Sequence, residues 1–387
     1  MAQAKGQKVF APWEDANEKP LIQFKGVTKK FGDFVAIDDI DLDIFAKEFF
    51  ALLGPSGCGK TTLMRMLAGF ETPTKGVIML DGQDIDPVPA NKRPVNMMFQ
   101  SYALFPHLTV EQNIAFGLKR SPMPKDEIPA RVDEMLKLTR LSRFAKRKPH
   151  QISGGQRQRV ALARSLAKAP KLLLLDEPLG ALDKKLRQDT QFELMDIQEK
   201  TGTTFVIVTH DQEEAMTVAS RVAVMNEGKL IQVSTPDRIY ENPNSLYVAD
   251  FIGEVNIIRG KCSPHKKSED RYEINWAEDQ PKLIATSDQP FGKDDACAMA
   301  IRPEKITISA EKPEGTPNVL KGRVHDIGYL GSISTYHVQL PSGEIIKAQT
   351  TNSRRISRRS FTWDDEVWLS WTETAGILLP DAPLVTS

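Results

Sequence analysis

The segment from Gly54 to Thr62, GPSGCGKTT, has the residue types and the spacing needed to bind a polyphosphate. It fits the pattern G-x-x-x-x-G-K-[ST], in which glycines let backbone N–H groups turn inward around phosphates. The pattern predicts that Lys60 holds the β and γ phosphates, that the Thr61 hydroxyl binds Mg²⁺, and that Thr62 lies by the α-phosphate. The predicted phosphate-contacting residues are Gly54, Pro55, Ser56, Gly57, Cys58, Gly59, Lys60, Thr61 and Thr62.

The residues around this loop predict the elements that must position it. Residues 49–53 are apolar throughout, as in a strand buried on both faces. Residues 63–68 are rich in good helix formers. A helix N-terminus already favours anions, so strand, loop and helix form the setting that the pattern requires. The alternative is a chance match in a flexible turn.

A second candidate site follows four consecutive leucines at residues 172–175. These predict a fully buried strand, and Asp176 and Glu177 stand at its carboxyl end, where open α/β sheets bind ligands. Asp176 is expected to orient Mg²⁺, largely through water. Glu177 is expected to polarise an attacking water. The alternative is a strand-ending turn stopped by Pro178.

Two further predicted strands end in polar side chains. Residues 203–209 lead to His210, which could hydrogen-bond a γ-phosphate or could serve only a structural purpose. Residues 95–99 end at the side-chain amide of Gln100.

Two other residues have both a functional and a structural interpretation. Ser153, with two glycines after it, begins a helix, which makes either an anion-receptive N-terminus or a plain N-cap. Phe31, beside Gly32 in a predicted hairpin, could stack on a purine base or could simply pack.

Composition excludes several classes of function. Lys plus Arg and Asp plus Glu both number 51, and a net charge of zero gives no electrostatic reason to expect a nucleic-acid or lipid-surface binder. The three scattered cysteines fit a reducing compartment without disulfides. No apolar run is long enough to span a bilayer, and the polar residues 1–20 have no signal-peptide core.

The 387 residues predict two or three domains. The fold class is α/β: a mostly parallel sheet around the phosphate-binding loop, an antiparallel β arm before it, and an inserted helical lobe at about residues 101–157. From residue 245, short strands at regular spacing predict a small all-β barrel. The expected divisions are a disordered tail at 1–20, the α/β domain at 21–244 and the β-rich domain at 245–387. The arginines within 354–359 favour a solvated hairpin over a nucleic-acid patch.

The phosphate-binding loop, Gln100, the SGGQ sequence at residues 153–156, the Asp176–Glu177 pair and His210 occur in one order. That set resembles the ATP-binding-cassette (ABC) ATPases. The SGGQ sequence ahead of a helix is the part that no other class with this loop shares. The family usually has leucine where this chain has Ile152, and residues 180–183 match the loop after the acidic strand. The resemblance covers residues 21–242.

The resemblance implies an ATP-hydrolysing homodimer in which two copies pack head to tail with two ATP molecules between them. Each ATP would contact the phosphate-binding loop of one copy and the SGGQ sequence of the other. It assigns Phe31 to base stacking and His210 to the γ-phosphate, and gives Gln100 contact with Mg²⁺ and the attacking water. The implied catalytic residues are Glu177, His210 and Gln100; the implied Mg²⁺ ligands are Thr61, Gln100 and Asp176; the residues contacting ATP in trans are Ser153, Gly154, Gly155 and Gln156.

The C-terminal region resembles the OB-type (TOBE-type) accessory domain of one importer subclass, through RPE at residues 302–304 and YLG at 329–331. The whole chain is most similar to the ATP-binding subunits of bacterial putrescine/spermidine importers, through residues 94–100, 146–151 and 331–349. This implies two integral-membrane permease subunits, an indirect periplasmic solute-binding protein, no nucleic acid, and a peripheral position on the cytoplasmic face of the inner membrane. Alternatives are an importer of a sugar, iron or an inorganic anion, a soluble ABC ATPase, and a regulatory nucleotide-binding module.

Overall fold

A computed structural model describes residues 10–180, 184–265, 268, 270–353 and 360–381. Residues 1–9 of the expected tail, 181–183 of the loop after the acidic strand, and the 354–359 arginines lie outside these ranges. The chain divides into two compact units, Met1–Ile239 and Tyr240–Ser387. The division falls a few residues before the boundary expected after residue 244.

The described part of the first unit is a mixed α/β structure, and its helices and strands surround the phosphate-binding loop. Its strands are β1 (Ile22–Phe31), β2 (Phe34–Ile44), β3 (Phe49–Leu53), β4 (Lys75–Leu80), β5 (Gln83–Asp84), β6 (Val95–Met98), β7 (Leu172–Asp176), β8 (Thr204–Thr209), β9 (Arg221–Asn226) and β10 (Lys229–Ser234). Its helices are α1 (Lys60–Ala68), α2 (Val110–Leu118), α3 (Ile128–Leu138), α4 (Gly154–Leu166), α5 (Lys184–Thr201), α6 (Gln212–Val218) and α7 (Pro236–Glu241), which extends across the division.

The main sheet of this unit has the strand order β10-β9-β3-β8-β7-β6. Strands β9, β3, β8, β7 and β6 pair in parallel, and only the β9–β10 pairing is antiparallel. Strand β3 is buried along its whole length, and so are the leucines of β7. The prediction of a mostly parallel sheet is confirmed. Because parallel strands end at one edge, the residues that follow β6, β7 and β8 meet there.

The antiparallel arm forms a separate sheet with the order β2-β1-β4-β5. The sequence suggests a short strand at 21–27, then a hairpin and another strand at 41–44, whereas β1 and β2 are two long strands. Register shifts divide their pairing between Phe24 and Val27, where Gly26 has a φ of +56°. These bulges break the alternation that marks a strand in the sequence. Ahead of β1, residues 12–14 form a 3-10 turn.

The region expected as an inserted lobe, at about residues 101–157, contains α2, α3, two 3-10 turns at 142–144 and 149–151, and the start of α4, which continues to Leu166. The sequence suggests one helical region from residue 109 to about residue 146, but α2 ends at Leu118 and α3 begins at Ile128. Thr109 starts α2 with a capping box, because its hydroxyl accepts from the Gln112 N–H and the Gln112 side chain accepts from the Thr109 N–H.

The described part of the second unit is almost entirely β. It opens with the short helix α8 (Leu246–Phe251), followed by β11 (Asn256–Pro264), β12 (Arg271–Asn275), β13 (Leu283–Thr286), β14 (Asp295–Ile301), β15 (Thr307–Ser309), β16 (Asn318–Tyr329), β17 (Ile333–Gln339), β18 (Ile345–Thr351), β19 (Glu366–Trp371) and β20 (Gly376–Pro380). Strands β11-β12-β13-β20-β14 close a barrel, and β15-β19-β16-β17-β18 form a second sheet. The predicted β-rich C-terminal domain with a small barrel is confirmed. In the described ranges, no helix has both the length and the apolarity needed to cross a bilayer.

Candidate functional site

The phosphate-binding loop joins β3 to α1, and three of its glycines are positions where a side chain would clash or would strain the backbone. Gly57 and Gly59 have φ values of +83° and +104°, which L-residues rarely adopt. A Cβ atom on Gly59 would lie 2.5 Å from Ile37 Cδ1, and one on Gly54 would lie 2.4 Å from the Met225 carbonyl oxygen. The loop therefore presents bare backbone, as a polyphosphate cradle requires.

Lys60, the first residue of α1, folds back into this loop. Its Nζ donates to the carbonyl oxygens of Gly54 and Pro55, both at 2.8 Å, and its exposed fraction is 6%. Its Nζ also lies 3.6 Å from the sulfur of Cys58, which is buried in the hydrophobic core beneath the loop. A cation enclosed by the loop is suited to bind anionic oxygens.

Gln100, Glu177 and His210 meet at the edge where β6, β7 and β8 end. The Gln100 Nε2 donates to Glu177 Oε2 at 2.9 Å. The His210 Nδ1 lies 3.0 Å from Glu177 Oε1. Both carboxylate oxygens of Glu177 are thus held by side chains from the two neighbouring strand ends. The structure thus brings together the three residues that the resemblance assigns to catalysis.

Glu177 itself has a strained backbone. Its φ of 43° lies in the left-handed region, and its N–H donates to the Val208 carbonyl oxygen at 2.9 Å, which extends the pairing of β7 with β8. Such strain in a non-glycine residue persists only where the surroundings enforce it, and it is common at functional sites. The side chain is 28% exposed, so that water can reach its carboxylate.

Asp176 precedes Glu177 and is half-buried. Burial raises its carboxyl pKa, and the charge of Glu177 raises it further, whereas Arg65 and Lys60 lower it. A buried carboxylate with a raised pKa gains from a nearby cation that restores its charged form.

Thr61, Asp176 and Gln100 together offer hydroxyl, carboxylate and amide oxygens, the hard donors that Mg²⁺ prefers. The Gln100 amide nitrogen faces Glu177, which directs its oxygen away from that carboxylate. Within the described residues, no three His, Cys, Asp or Glu side chains form a metal-binding group. Such a donor set suits Mg²⁺, which is commonly held by few protein ligands together with substrate phosphates and water.

Ser153 caps α4. Its hydroxyl accepts from the Gln156 N–H at 3.3 Å, and the Gln156 side-chain oxygen accepts from the Ser153 N–H at 2.9 Å. The N-cap interpretation of Ser153 is thus realised. Gly154 and Gly155 form the first turn of α4, and the described residues show no hydrogen bond or ion pair between this turn and Lys60 or Glu177.

Phe31 lies at the tip of the β1–β2 hairpin, opposite Phe34. Its ring is 47% exposed, and the Lys29 Nζ lies 4.8 Å from the ring centre. An exposed ring beside a cation has a free face on which a flat aromatic group can stack.

Sequence reasoning missed residues that hold the site in shape. Arg164 of α4 donates to the backbone after Gln100, and Arg187 of α5 pairs with Asp211, the N-cap of α6 next to His210. Asn113 is fully buried in α2, and its amide donates to the Phe105, Leu108 and Thr109 carbonyl oxygens while accepting from the Phe105 N–H. The sequence feature that could have identified Asn113 is a side-chain amide on the apolar face of a predicted helix.

Comparisons with known proteins agree with this geometry. The ABC transporter family matches residues 37–180, and the TOBE domain matches residues 299–379. The chain is 54% identical to the putrescine transport ATP-binding protein PotG of Escherichia coli (strain K12), over 93% of this chain and 95% of that protein. It is 48% identical to the spermidine/putrescine import ATP-binding protein PotA of Thermobifida fusca (strain YX), over 93% of this chain and 94% of that protein.

One solved structure of similar fold is cbiO1 from Clostridium perfringens, described as part of the ABC transporter complex cbiONQ. It is 31% identical with a TM-score of 0.54, and the match covers 57% of this chain and 91% of that one. The α/β fold and the loop that follows β3 define a P-loop nucleotide-binding protein. The chain belongs to the ABC transporter ATPase family, and its second unit contains a TOBE domain.

Proposed function

We propose that this chain is the ATP-hydrolysing subunit of an ABC importer whose solute is a polyamine such as putrescine or spermidine. The observation that carries the proposal is the 54% identity to a putrescine transport ATP-binding protein along almost the whole of both chains. The geometry supports ATP hydrolysis, because both carboxylate oxygens of Glu177 are held by hydrogen bonds at the sheet edge from which the phosphate-binding loop also extends.

The phosphate-binding loop is suited to bind the ATP polyphosphate. The backbone N–H groups of residues 56–62 and the α1 N-terminus favour its negative charge. Lys60 then exchanges its bonds to the Gly54 and Pro55 carbonyl oxygens for bonds to the β and γ phosphates. Thr62 lies by the α-phosphate, and Phe31 stacks on the adenine. The other contacts of the loop come from Gly54, Pro55, Ser56, Gly57, Cys58 and Gly59.

Glu177 is the general base. It accepts a proton from the attacking water while Gln100 and His210 fix the direction of its carboxylate. With the Nδ1 of His210 facing Glu177, its Nε2 is the nitrogen that can bind the γ-phosphate. The Gln100 amide nitrogen binds Glu177, and its oxygen would be the atom that contacts Mg²⁺.

Thr61, Asp176 and Gln100 would hold Mg²⁺. When bound, the ion neutralises phosphate charge during transfer. Asp176 supplies a carboxylate whose burial strengthens the interaction.

Ser153, Gly154, Gly155 and Gln156 act in trans. In a head-to-tail homodimer, the N-terminus of α4 would contact the γ-phosphate bound by the partner. The inserted lobe binds one of two integral-membrane permease subunits, and a periplasmic solute-binding protein delivers the polyamine. The chain then lies peripherally on the cytoplasmic face of the inner membrane.

Uptake by cells tests the transported solute. A strain that lacks this chain is expected to lose most uptake of radiolabelled putrescine, spermidine or both. The wild-type chain restores it, whereas Glu177→Gln does not, because import requires hydrolysis. Uptake of a labelled sugar in the same strains is the control and is expected to stay unchanged.

Three results would contradict the proposal. Unchanged uptake of both polyamines rules out the solute, and loss of sugar uptake alone points to a sugar importer. Restoration of uptake by Glu177→Gln rules out the assigned base.

A further inference from the structure

The last turn of α4 carries a half-buried arginine that holds the loop after Gln100. The Arg164 Nη1 donates to the carbonyl oxygen of Ala103 at 2.7 Å, and its Nη2 donates to that of Tyr102 at 2.9 Å. The guanidinium also lies 5.6 Å from the centre of the Phe105 ring. A planar fork that bonds to two consecutive carbonyl groups fixes both the position and the direction of the backbone.

The loop needs this support because its backbone conformation is unfavourable. Tyr102 and Ala103 are consecutive non-glycine residues with φ values of 61° and 42°. L-residues rarely adopt the left-handed region, and two in succession need contacts that hold them there. The Tyr102 N–H donates to the Phe99 carbonyl oxygen at 2.8 Å, within the loop. From outside the loop, Arg164 binds the carbonyl oxygens of both residues.

The same turn of α4 also holds the strand before Gln100. The side-chain amide of Asn96 in β6 donates to the Ser165 carbonyl oxygen at 2.6 Å. Arg164 and Ser165, which are adjacent in α4, therefore hydrogen-bond to the loop after Gln100 and to the strand before it. The position of Gln100 against Glu177 depends on where this end of α4 lies.

The other end of α4 begins at the Ser153 cap. The helix has 13 residues and thus a length of about 20 Å. An intact α-helix of this length moves as a stiff unit. A displacement at Ser153 is therefore transmitted to Arg164, and through it to the Gln100 loop.

We propose that Arg164 is a positioning residue that makes α4 a mechanical link between the two ATP sites of the homodimer. The inference rests on the proposed function, in which Ser153 contacts the nucleotide of the partner and Gln100 serves the site of its own chain. Engagement of Ser153 in one site then restricts α4 and holds Gln100 in register with Glu177 in the other. Arg164 itself touches neither nucleotide nor the attacking water.

Three variants of the full-length chain test this role. Arg164→Met removes both carbonyl contacts with a side chain of similar length, and Arg164→Lys keeps the charge but loses the fork. Arg302→Met is the matched control. Arg302 of the second unit also binds two backbone carbonyl groups: its Nη1 donates to the Ala249 and Glu254 carbonyl oxygens at 2.9 and 3.1 Å, and neither group belongs to α4 or to the Gln100 loop.

Kinetics and hydrogen exchange provide the readouts. For Arg164→Met we expect kcat for ATP hydrolysis to fall at least tenfold, the KM for ATP to change less than threefold, and the Hill coefficient for ATP to fall toward 1. Amide exchange in residues 101–105 should become faster by at least tenfold. Arg164→Lys should restore part of kcat, and Arg302→Met should keep kcat within twofold with the 101–105 exchange unchanged.

The outcomes separate this inference from the proposed function. An active wild type in which Arg164→Met and Arg302→Met lower kcat equally, or in which Arg164→Met keeps the wild-type kcat and Hill coefficient, overturns the inference alone. A wild type without ATPase activity overturns the proposed function and the inference together.

Discussion

The carboxylate of Glu177 accepts a hydrogen bond from the side-chain amide of Gln100 at 2.9 Å, although 77 positions separate the two residues. Their strands, β7 and β6, are parallel neighbours whose ends meet at one edge of the sheet. One carboxylate oxygen of Glu177 is thus held by Gln100, which follows β6. The other is held by His210, which follows β8. Orientation of this carboxylate depends on two elements that belong to different parts of the unit.

Replacement of the assigned base should separate ATP binding from hydrolysis. Glu177→Gln keeps the size of the side chain and can still accept the Gln100 bond, but it cannot take a proton from water. General-base catalysis contributes roughly 10²–10⁴-fold, so kcat should fall by about that factor. The affinity for a fluorescent ATP analogue should stay within about threefold, since Lys60 and the loop are unchanged. Steady-state phosphate release and equilibrium titration measure the two quantities.

The matched control for this prediction is Glu199→Gln, an exposed acid in α5. It removes one negative charge from the same unit without contacting the site, and its kcat should equal that of the wild type. A Glu177→Gln variant with wild-type turnover would show that another group accepts the proton.

Two glycines of the phosphate-binding loop should differ in their tolerance of a methyl group. Gly59→Ala places a Cβ 2.5 Å from Ile37 Cδ1 and 2.6 Å from the Ala36 carbonyl oxygen, at a φ of +104°. Gly57→Ala has a φ of +83° but meets nothing within 4 Å. We expect Gly57→Ala to lose about 1–2 kcal/mol of unfolding free energy from backbone strain. Gly59→Ala should lose a further ~1–3 kcal/mol from overpacking.

Urea unfolding without nucleotide measures this difference free of any effect on ATP binding. Equal losses of unfolding free energy in the two variants would mean that β2 moves to accommodate the added methyl group. The close contact at Gly59 would then cost no stability.

The placement of several site residues was predictable from local patterns in the sequence. The phosphate-binding loop, the Asp176–Glu177 pair and His210 follow short apolar runs, and such runs form the buried parallel strands β3, β7 and β8. Their carboxyl ends share one edge, so Asp176, Glu177 and His210 had to meet. The capping box at Ser153 was also visible, since the spacing S-x-x-Q is its signature.

What the sequence did not predict depends on contacts between distant residues or on broken periodicity. Arg164 holds carbonyl groups 61 and 62 positions away, and no local pattern marks an arginine for that purpose. The length of β1 was hidden by its bulges near Gly26, which shift side chains out of alternation. The helical lobe was predicted, but the break between α2 and α3 was not.

Stability should depend on pH through Glu214 in α6. Burial raises its pKa to about 7 from the ordinary value of 4.5. The hydrogen bond from the Thr209 hydroxyl lowers this pKa, the neighbouring Asp211 raises it, and Arg187 and His210 lower it. The folded state therefore binds an extra proton between pH 4.5 and 7, and stability falls as pH rises through this window. The Glu214→Gln variant lacks this ionisation and can still accept the Thr209 bond. The free energy of unfolding of this variant should exceed that of the wild type by about 3 kcal/mol above pH 7.

Unfolding by urea at several pH values between 5 and 8 measures this advantage. Glu213→Gln, an exposed neighbour in the same helix, is the control and should follow the wild-type pH dependence. A Glu214→Gln curve parallel to the wild-type curve would show that the Glu214 carboxyl titrates at its ordinary pKa.

A buried ion pair joins β9 to the turn before β3. The fully buried Glu48 accepts from the Arg221 Nε at 2.7 Å and Nη2 at 3.0 Å, and also from the Phe45 N–H at 2.6 Å. Arg221→Met leaves the Glu48 charge buried with its main partner removed, which should cost about 3–5 kcal/mol of unfolding free energy. Adding Glu48→Gln removes that charge while the Phe45 bond can persist, so the double variant should be more stable than Arg221→Met alone. Urea unfolding followed by circular dichroism measures the stability of both variants.

If the double variant is less stable than Arg221→Met, the stability lost in Arg221→Met comes from packing of the guanidinium against Trp13 and Phe45, rather than from the unpaired carboxylate.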